Sequence, residues 1–421
     1  ENKPMPFPDR LYQADKHAEP FWQPNETGGH LNEDYFGGDL KGIQLKLPYL
    51  HEMGVDYLYL NPIFEAHSNH RYNTADYLNV DPLLGTNEDF ETLCKEAAKY
   101  GIGIVLDGVF SHTGSDSRYF NREGRYGEGG AYRDPNSPYR SWYDFDPKYK
   151  GGYRSWWGFE TLPEVNEETP SFVEFITGKG GVIDTWLRRG AAGFRLDVAD
   201  ELPDAFIEKI RAAVKRVSPE KFLLGEVWED ATTKYGFGHR RTYLLGKGLD
   251  SVMNYPFKNA VLDFVKGKPA QQAMNEILSI CEHYPAPALN TALNFLSTHD
   301  TERALTVIAD EPANGRGREW QSGRNVSGEA YEEGMLRLRM AYAIIYTLPG
   351  LPCLYYGDEI GMQGYRDPFN RGYYCWDSHE ERLKPVLAQL AQLRHSCEAF
   401  RTGALRVLRA EGGVLHYQRV G

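Results

Sequence analysis

The feature that most constrains the fold is the regular return of short apolar runs that end in polar residues. Runs of this kind are read as strands at residues 57–61, 103–110, 192–198, 222–227, 251–255, 293–298 and 351–356. Helical periodicity fills most of the gaps, at residues 40–53, 87–100, 171–189, 203–217, 257–284, 329–347 and 381–400. This alternation is typical of βα units around a parallel sheet.

The number of units predicts a closed barrel. A further run at residues 7–12 brings the strands to eight, and eight strands with about eight helices at about 31 residues a unit fit a (β/α)8 TIM barrel of the α/β class. Glu226 follows Asp197 at the spacing of one unit. The stretch from Asp107 to Asp197 holds about one unit plus an insertion of about 60 residues.

That insertion predicts a division into domains. Residues 111–169, after strand 3, are rich in Gly, Tyr, Trp and Arg and are expected to form an excursion domain over the barrel mouth. Residues 1–110 and 170–400 would then be the catalytic barrel. Two alternating runs flank the Gly pair at residues 412–413 and predict a hairpin. Residues 401–421 are therefore expected to begin a C-terminal β-domain that the chain end truncates.

Charge and cysteine content narrow the function class. Lys and Arg total 47 against 59 Asp and Glu, a net charge of -12, which disfavours nucleic-acid or anionic-membrane partners. The longest uncharged span, residues 340–357, is cut by Pro349 and Pro352, so it predicts a helix end and a strand rather than a membrane span. Five scattered cysteines without a C-x-x-C pair suggest neither a disulfide framework nor a zinc site.

The same cysteine pattern predicts a cytoplasmic location. Cysteines that are odd in number and far apart are typical of a reducing compartment. Export stays open, because the chain begins at Glu1 rather than at a Met. No feature of the sequence indicates an oligomeric state.

One predicted strand ends in an Arg–Asp pair. Residues 193–197 read GFRLD, and because strand side chains alternate, Arg195 and Asp197 share the face opposite Phe194 and Leu196. The polar pair would enter the barrel at its C-terminal mouth, where barrel enzymes keep their sites. An adjacent Arg lowers the pKa of a carboxylate and keeps it ionised. A structural Arg–Asp pair at a strand end is the alternative.

Two more strands end in acids. Glu226 lies in residues 224–228 (LGEVW) and Asp300 in residues 295–301 (FLSTHDT). Taken singly, each also fits a helix cap or a surface acid. Three acids at one rim are hard to explain by stability, because like charges repel. Retaining glycoside hydrolysis needs this set, with an ionised nucleophile and a second carboxyl that donates a proton and later accepts one.

Over nearly the whole chain, the sequence resembles the α-amylase family of glycoside hydrolases. The family's four ordered motifs are similar to residues 107–112 (DGVFSH), 193–201 (GFRLDVADE), 225–228 (GEVW) and 297–300 (STHD), and its fifth to residues 162–166 (LPEVN). The resemblance implies that Asp197 is the nucleophile, Glu226 the general acid/base, and Asp300 the carboxylate that binds sugar hydroxyls and stabilises the distorted transition state. It places these residues around the reacting sugar as well: Arg195, His112 and His299, with Asp107 as support from its strand end.

Further sugar contacts follow from the same resemblance on the donor side. Residues 67–77 (HSNHRYNTADY) resemble the family loop whose tyrosine stacks on the reacting glucose, which makes Tyr72 the candidate; a packed loop tyrosine is the alternative. Residues 365–371 resemble the segment from which an Asp and an Arg grip the next sugar, here Asp367 and Arg371. A plain surface salt bridge is the alternative for that pair.

On the acceptor side, Trp228 and Phe159 are candidates for a stacking platform. A Trp beside a barrel mouth also serves packing, so that reading stays open.

The details of the motifs look closest to the neopullulanase, cyclomaltodextrinase and maltogenic amylase group. Val198 directly after Asp197 carries this likeness, and the group cuts short α-1,4 and often α-1,6 glucosidic links. The expected partners are α-glucan oligosaccharides such as maltodextrins, cyclodextrins and pullulan. Ser111 replaces the family's usual Asn, which argues against its structural calcium site, and Asp200 replaces another Asn. No motif requires a cofactor, and no metal ligand is predicted.

Two alternatives to hydrolysis are compatible with the same sequence. A transglycosylase would pass the same covalent intermediate to a sugar instead of water. A catalytically silent barrel would bind sugar or a partner without turnover. The intact acids Asp197, Glu226 and Asp300 favour an enzyme, because a silent relative would be free to lose them.

Overall fold

The structure, a computed structural model, describes residues 10–24 and 32–421. A curled parallel sheet dominates these residues. Its hydrogen-bonded strands run in the order Ser251–Val252, Phe222–Gly225, Gly193–Leu196, Gly103–Gly108 and Tyr57–Tyr59. A second parallel pair, Leu293–Asn294 with Leu351–Pro352, joins the first sheet through a bridge between Met253 and Leu293. Each of the predicted runs from residue 57 onward therefore contains a strand.

The strand predicted at residues 7–12 is not part of the main sheet in its described residues. Residues 7–9 of the predicted run 7–12 lie outside the described residues. Leu11–Tyr12 pairs in parallel with Asp34–Tyr35, at the register Leu11 to Asp34. The described end of the run thus lies in a separate two-stranded sheet, not beside Tyr57–Tyr59.

Helices follow the strands and cover the sheet. Their apolar faces are buried, as in Asn87–Lys99, which Thr86 caps with its side chain on the Asp89 backbone N–H. The other α-helices are Leu40–Leu45, Leu47–Glu52, Pro170–Thr177, Val182–Arg188, Asp204–Val217, Tyr255–Val265, Ala270–His283, Ala286–Asn290, Ala304–Ala309, Arg318–Gln321, Gly328–Thr347, Lys384–Ser396 and Glu398–Thr402. Two short antiparallel pairs lie outside the parallel sheet, Phe64–Ala66 with Thr74–Val80 and Tyr235–Gly236 with His239–Arg240.

The predicted helices 40–53, 171–189, 257–284 and 381–400 were each wrong as single helices, because each is two. In the first case a new helix begins at Leu47, with Pro48 in its first turn, where the N–H group that proline lacks would have no partner within the helix. In the third, Gly267 at φ 102° ends one helix and Pro269 precedes the next. Glycine and proline therefore mark the breaks more reliably than apolar periodicity does.

Residues 111–169 contain 3-10 turns and single bridges instead of long elements. The turns are Arg140–Trp142, Lys150–Gly152 and Trp156–Gly158, and the bridges join His112 to Glu164, Tyr143 to Val165 and Ser155 to Pro163. Aromatic packing holds the segment together, with Phe120 4.8 Å from Tyr143 and 4.6 Å from Tyr153 between ring centroids.

The C-terminal hairpin is confirmed. Ala404–Glu411 pairs antiparallel with Val414–Val420, and Gly412 turns the chain at φ 55°. The hairpin packs on the helical layer, where the Gly412 carbonyl accepts from the Ala270 backbone N–H at 2.8 Å.

The structure also bears on the predictions about membrane spans and disulfides. Within residues 10–24 and 32–421, no helix has the length and apolar character needed to cross a membrane. All five cysteines lie in this part of the chain, and each is a free thiol.

Candidate active site

The site is organised around Arg195, whose side chain has no solvent exposure. Strand pairing sets Arg195 opposite Asp107, so the two side chains meet at the carboxyl ends of neighbouring strands. Nη1 of Arg195 donates to Asp107 Oδ1 and Oδ2 at 2.9 and 3.1 Å, and to Asp197 Oδ1 at 2.8 Å. Nη2 lies 2.7 Å from Glu226 Oε2 as an ion pair. One guanidinium therefore brings three carboxylates together.

Backbone geometry places Glu226 against the Asp197 loop. Val198, directly after Asp197, takes the left-handed conformation at φ 39°, which is strained for a β-branched residue. Its N–H group donates to Glu226 Oε2 at 2.8 Å, while the Trp228 indole N–H donates to Oε1 at 3.0 Å. Both oxygens of Glu226 thus accept hydrogen bonds, and the carboxyl is held in one orientation.

Tyr72 connects Asp300 to the carboxylates around Arg195. Its hydroxyl donates to Asp107 Oδ2 at 2.9 Å, so its oxygen accepts from His299 Nε2 at 2.6 Å. The Tyr72 and His299 rings stack 5.5 Å apart at 13°. His299 Nε2 is also 3.1 Å from Asp300 Oδ2. The structure therefore places Tyr72, His299 and Asp300 in contact, beside Asp107.

Asp367 and Arg371 extend the same cluster. Arg371 Nη1 is 3.2 Å from Asp367 Oδ1, and Nη2 is 3.8 Å from Asp300 Oδ1. Nε and Nη2 of Arg371 donate to the His299 carbonyl at 3.0 and 2.9 Å. The two side chains therefore form an ion pair that is also hydrogen-bonded to the turn that carries Asp300.

His112 lies on the other side of Tyr72. Its Nε2–H donates to the Tyr72 carbonyl at 3.0 Å, so Nδ1 accepts from the Ser111 hydroxyl at 2.9 Å. The Ser111 hydroxyl thus gives its proton to His112. In the described ranges, no group of three or more His, Cys, Asp or Glu side chains is arranged to hold a metal ion.

The two acceptor candidates occupy different surroundings. Trp228 is 43% exposed and stacks on Tyr255 at 4.0 Å, so it packs and also presents a face to solvent. Phe159 is 56% exposed and stacks on Trp156 at 6.1 Å. The Trp156 ring is 5.5 Å from that of His112, which puts Phe159 at the outer edge of the site.

Burial dominates the electrostatics of the acids. It raises the pKa of Asp197 well above the usual value, against the lowering effect of Arg195, and raises the pKa of Asp107 in the same way. Burial also raises the pKa of Asp300. The sequence argument that Arg195 lowers the pKa of Asp197 is therefore right in sign, but burial raises that pKa by more than the guanidinium lowers it.

The histidines of the site are neutral. Burial lowers the pKa of His299 well below its usual value and that of His112 to about 4. His70 follows the same rule, with a pKa lowered to about 3. Each imidazole therefore offers one N–H donor and one acceptor at neutral pH.

Three residues of the site escaped the sequence analysis. Tyr59 donates to Asp107 Oδ2 at 2.8 Å, and its position at the end of a predicted strand was the available signal. His70 accepts the Tyr72 backbone N–H on Nδ1 at 3.0 Å. Glu201 accepts from the indole groups of Trp156 and Trp157 at 2.7 and 2.9 Å, a contact that no sequence spacing reveals.

A cavity of about 490 Å³ opens beside Asp367 and Arg371. Its wall combines aromatic rings with polar groups from His70, Asn69 and Asp34. Since His70 stacks on Tyr72 at 6.1 Å, the cavity adjoins the donor side of the acid cluster.

Comparison with known proteins identifies the family. The Alpha-amylase family, described as "Alpha amylase, catalytic domain", matches residues 6–402. The chain belongs to the alpha-amylase family of glycoside hydrolases. This membership implies a (β/α)8 barrel, in agreement with the curled parallel sheet.

Its relatives include enzymes of the predicted group. An amylopullulanase of Thermoanaerobacter thermohydrosulfuricus is 37% identical over 93% of this chain and 28% of its own length. Neopullulanase 2 of Thermoactinomyces vulgaris is 33% identical over 96% of this chain and 64% of its own length. Other relatives are named cyclomaltodextrinase and maltogenic alpha-amylase. The chain thus spans less than two thirds of these curated relatives.

One similar solved structure contains a sugar. Cyclic alpha-maltosyl-(1→6)-maltose hydrolase from Arthrobacter globiformis, in complex with that cyclic sugar, superimposes with a TM-score of 0.77 at 29% identity. The match covers 96% of this chain and 84% of that one.

Proposed function

We propose that this protein is a retaining α-glucan hydrolase that cleaves α-1,4 glucosidic bonds, and α-1,6 bonds where the substrate offers them. The observation that carries the proposal is the pairing of Asp197 and Glu226 on the two terminal nitrogens of Arg195, at 2.8 and 2.7 Å. Retaining enzymes need two carboxyl groups on opposite sides of one glycosidic bond, at about 5 to 5.5 Å from each other. The shared guanidinium, which binds Asp197 through one terminal nitrogen and Glu226 through the other, supports such an arrangement because it keeps the two carboxyl groups close together.

In the first step, Asp197 attacks the anomeric carbon while Glu226 donates a proton to the leaving oxygen. The bond to the leaving sugar breaks and a covalent glycosyl–Asp197 ester forms. Arg195 stabilises the Asp197 carboxylate before attack by its hydrogen bond to Oδ1.

In the second step, Glu226 takes a proton from water, and the resulting hydroxide attacks the anomeric carbon to release Asp197. The unprotonated form of Glu226 suits this role, since both its oxygens accept N–H hydrogen bonds. Asp300 and the neutral His299 are assigned to the sugar hydroxyls, and Tyr72 to the sugar face. Two inversions at one carbon give net retention.

The proposed substrates are short maltodextrins, cyclodextrins and pullulan. Names of the relatives support this class, as does the cyclic sugar bound by the Arthrobacter globiformis enzyme. Asp367 and Arg371 would hold the sugar beyond the reacting one, at the cavity of about 490 Å³. Residues 111–169 would act as a domain inserted beside the mouth, with Phe159 and Trp228 on the acceptor side.

A reducing-sugar assay on maltodextrin, cyclodextrin and pullulan tests the proposal. Proton NMR of the first product should show the α anomer. If β product forms first, the retaining scheme is wrong, and if no substrate is cut, a sugar-binding barrel without turnover is the better reading. Product chromatography at high substrate separates hydrolysis from transglycosylation, because longer sugars appear only when a sugar takes the intermediate.

A further inference from the structure

Asn370 lies behind the turn that carries His299 and Asp300, and its side chain is fully buried. Its amide nitrogen donates to the carbonyl oxygens of His299 and Thr301 at 2.8 and 2.9 Å, and the carbonyl of Thr298 lies at 3.3 Å. One side chain thus binds three carbonyls of a single turn.

The orientation of this amide follows from its surroundings. A flipped amide would set Oδ1 of Asn370 against three carbonyl oxygens, which have no proton to give. In the orientation observed, Oδ1 is buried and has no hydrogen-bond partner among the described residues. Leaving a buried acceptor unpaired costs free energy. The hydrogen bonds from the Asn370 amide nitrogen to the turn are therefore formed at the expense of an unpaired Oδ1.

The backbone hydrogen bonds of the turn are local. The strand before it ends at Asn294, so sheet hydrogen bonds stop short of it. Its local bonds involve Thr298, whose hydroxyl accepts from the Asp300 N–H at 3.2 Å and whose carbonyl accepts from the Thr301 N–H at 3.3 Å. These bonds shape the turn but do not anchor it to the barrel.

The anchor continues into the next residue. Arg371 donates twice to the His299 carbonyl, so that one oxygen accepts from both Asn370 and Arg371. Arg371 also pairs with Asp367. The 3-10 turn Phe369–Arg371 therefore links the proposed grip on the second donor sugar to the backbone of the Asp300 turn.

We propose that Asn370 is a positioning residue that sets Asp300 and His299 against the reacting sugar and transmits to them the binding of the second donor sugar. The inference rests on the proposed function. Asn370 touches no substrate in this scheme. It acts by fixing the backbone from which the Asp300 carboxylate projects, and a displacement of about 1 Å in such a group can cost about 10²-fold in rate.

Asn370→Asp tests this with minimal change of shape, because it replaces the N–H donors by oxygen. Asn121→Asp is the matched control. Asn121 is also fully buried, and its amide nitrogen donates to the carbonyls of Gly127 and Gly129, in residues 111–169. Asn370→Ser is a second variant that adds no charge and keeps one donor, in case the Asp variant fails to fold.

A comparison of two substrates distinguishes a positioning role from a merely structural one. p-Nitrophenyl α-glucoside fills only the reacting position, whereas p-nitrophenyl α-maltoside also fills the Asp367–Arg371 grip. Asn370→Asp should lower kcat on the maltoside by about 10- to 100-fold with KM within about threefold. The kcat advantage of the maltoside over the glucoside should shrink toward one. Asn370→Ser should show a smaller loss of the same kind.

The outcomes separate the inference from the function it rests on. If the wild type cuts α-glucans but the Asn370 variants keep kcat within twofold, or lose no more than Asn121→Asp, Asn370 is only a structural residue. If the wild type cuts none of the α-glucans, the proposed function fails and the inference fails with it. A fall in melting temperature shared by Asn370→Asp and Asn121→Asp, with kcat lost only in the former, supports positioning.

Discussion

Nη1 of Arg195 lies 2.9 Å from Oδ1 of Asp107, and neither side chain has any exposed surface. A buried carboxylate is costly unless it is paired, and breaking a buried pair costs about 3–5 kcal/mol. The same guanidinium contacts Asp197 and Glu226. The positive charge of Arg195 therefore stabilises several carboxylates in one buried site.

Arg195→Lys should shift the pH dependence of activity. Lysine keeps the charge but lacks the planar fork, so it reaches fewer carboxylates. Burial raises the pKa of Asp197 and Arg195 opposes this, so a weaker counter-charge raises that pKa further. Since attack needs ionised Asp197, the acidic limb of kcat/KM should move to higher pH, with a loss of about 10²-fold at the optimum. An acidic limb unchanged in kcat/KM–pH profiles of both enzymes would contradict this.

Asp197→Asn and Glu226→Gln should each lower kcat by at least about 10³-fold, because each removes a chemical role that no neighbour supplies. Both variants are nearly isosteric, so circular dichroism should show a retained fold. Steady-state kinetics on maltotriose provide the measurement. A variant of either position with more than a tenth of wild-type turnover would remove that residue from the mechanism.

Sequence periodicity and spacing predicted the strands and the acids at their ends, because strand alternation and the barrel mouth are both readable from one chain. Asp107, Asp197 and Glu226 each lie at or just after the end of a predicted strand, and in the structure all three contact Arg195. Side-chain contacts between residues distant in sequence could not be predicted. Tyr59 donates to Asp107 on the neighbouring strand, and Asn370 donates to the His299 carbonyl from 71 residues away.

Calcium chelation should leave this protein unchanged. Ser111, at the position where the family usually has a ligating Asn, uses its hydroxyl to hold His112 Nδ1 at 2.9 Å. Calcium takes about six to eight oxygen ligands, and the loss of one carbonyl-type donor weakens such a site. Melting temperature and activity should therefore be equal with and without EDTA. A large fall in melting temperature that added calcium restores would be decisive against this expectation.

Substrate length should matter only over a short donor side. Tyr72, Asp367 and Arg371 lie close to the acids, and remote sugars raise kcat/KM only where subsites bind them. We expect kcat/KM from maltose to maltoheptaose to stop rising after roughly two or three donor residues, with cyclodextrins cut faster than starch. A rise that continues to maltoheptaose, with soluble starch as the best substrate, would instead indicate a long endo-acting cleft.

Glu167 should make the stability of residues 111–169 depend on pH. Its side chain is buried, and burial raises its pKa from 4.5 to about 8, with a further rise from Glu164 and an opposing effect of Arg154. The folded state therefore holds a proton that the unfolded state releases above about pH 4.5. By linkage, the stabilising contribution of Glu167 is full below that pH and is lost as the pH rises through about 8.

Glu167→Gln removes this titration while it keeps the shape of the side chain. Each unit of pKa shift corresponds to about 1.4 kcal/mol, and relaxation around the charge reduces the total, so we expect a difference of about 2–4 kcal/mol between the two proteins to develop from pH 5 to pH 9. The Gln variant should melt at a higher temperature at pH 9 and show a flatter profile. Glu128→Gln, which removes a carboxylate that is 95% exposed in the same segment, is the control and should leave the profile parallel to wild type. Parallel melting profiles for Glu167→Gln and wild type across this range would mean that Glu167 finds a compensating partner in the folded protein and carries no pH dependence.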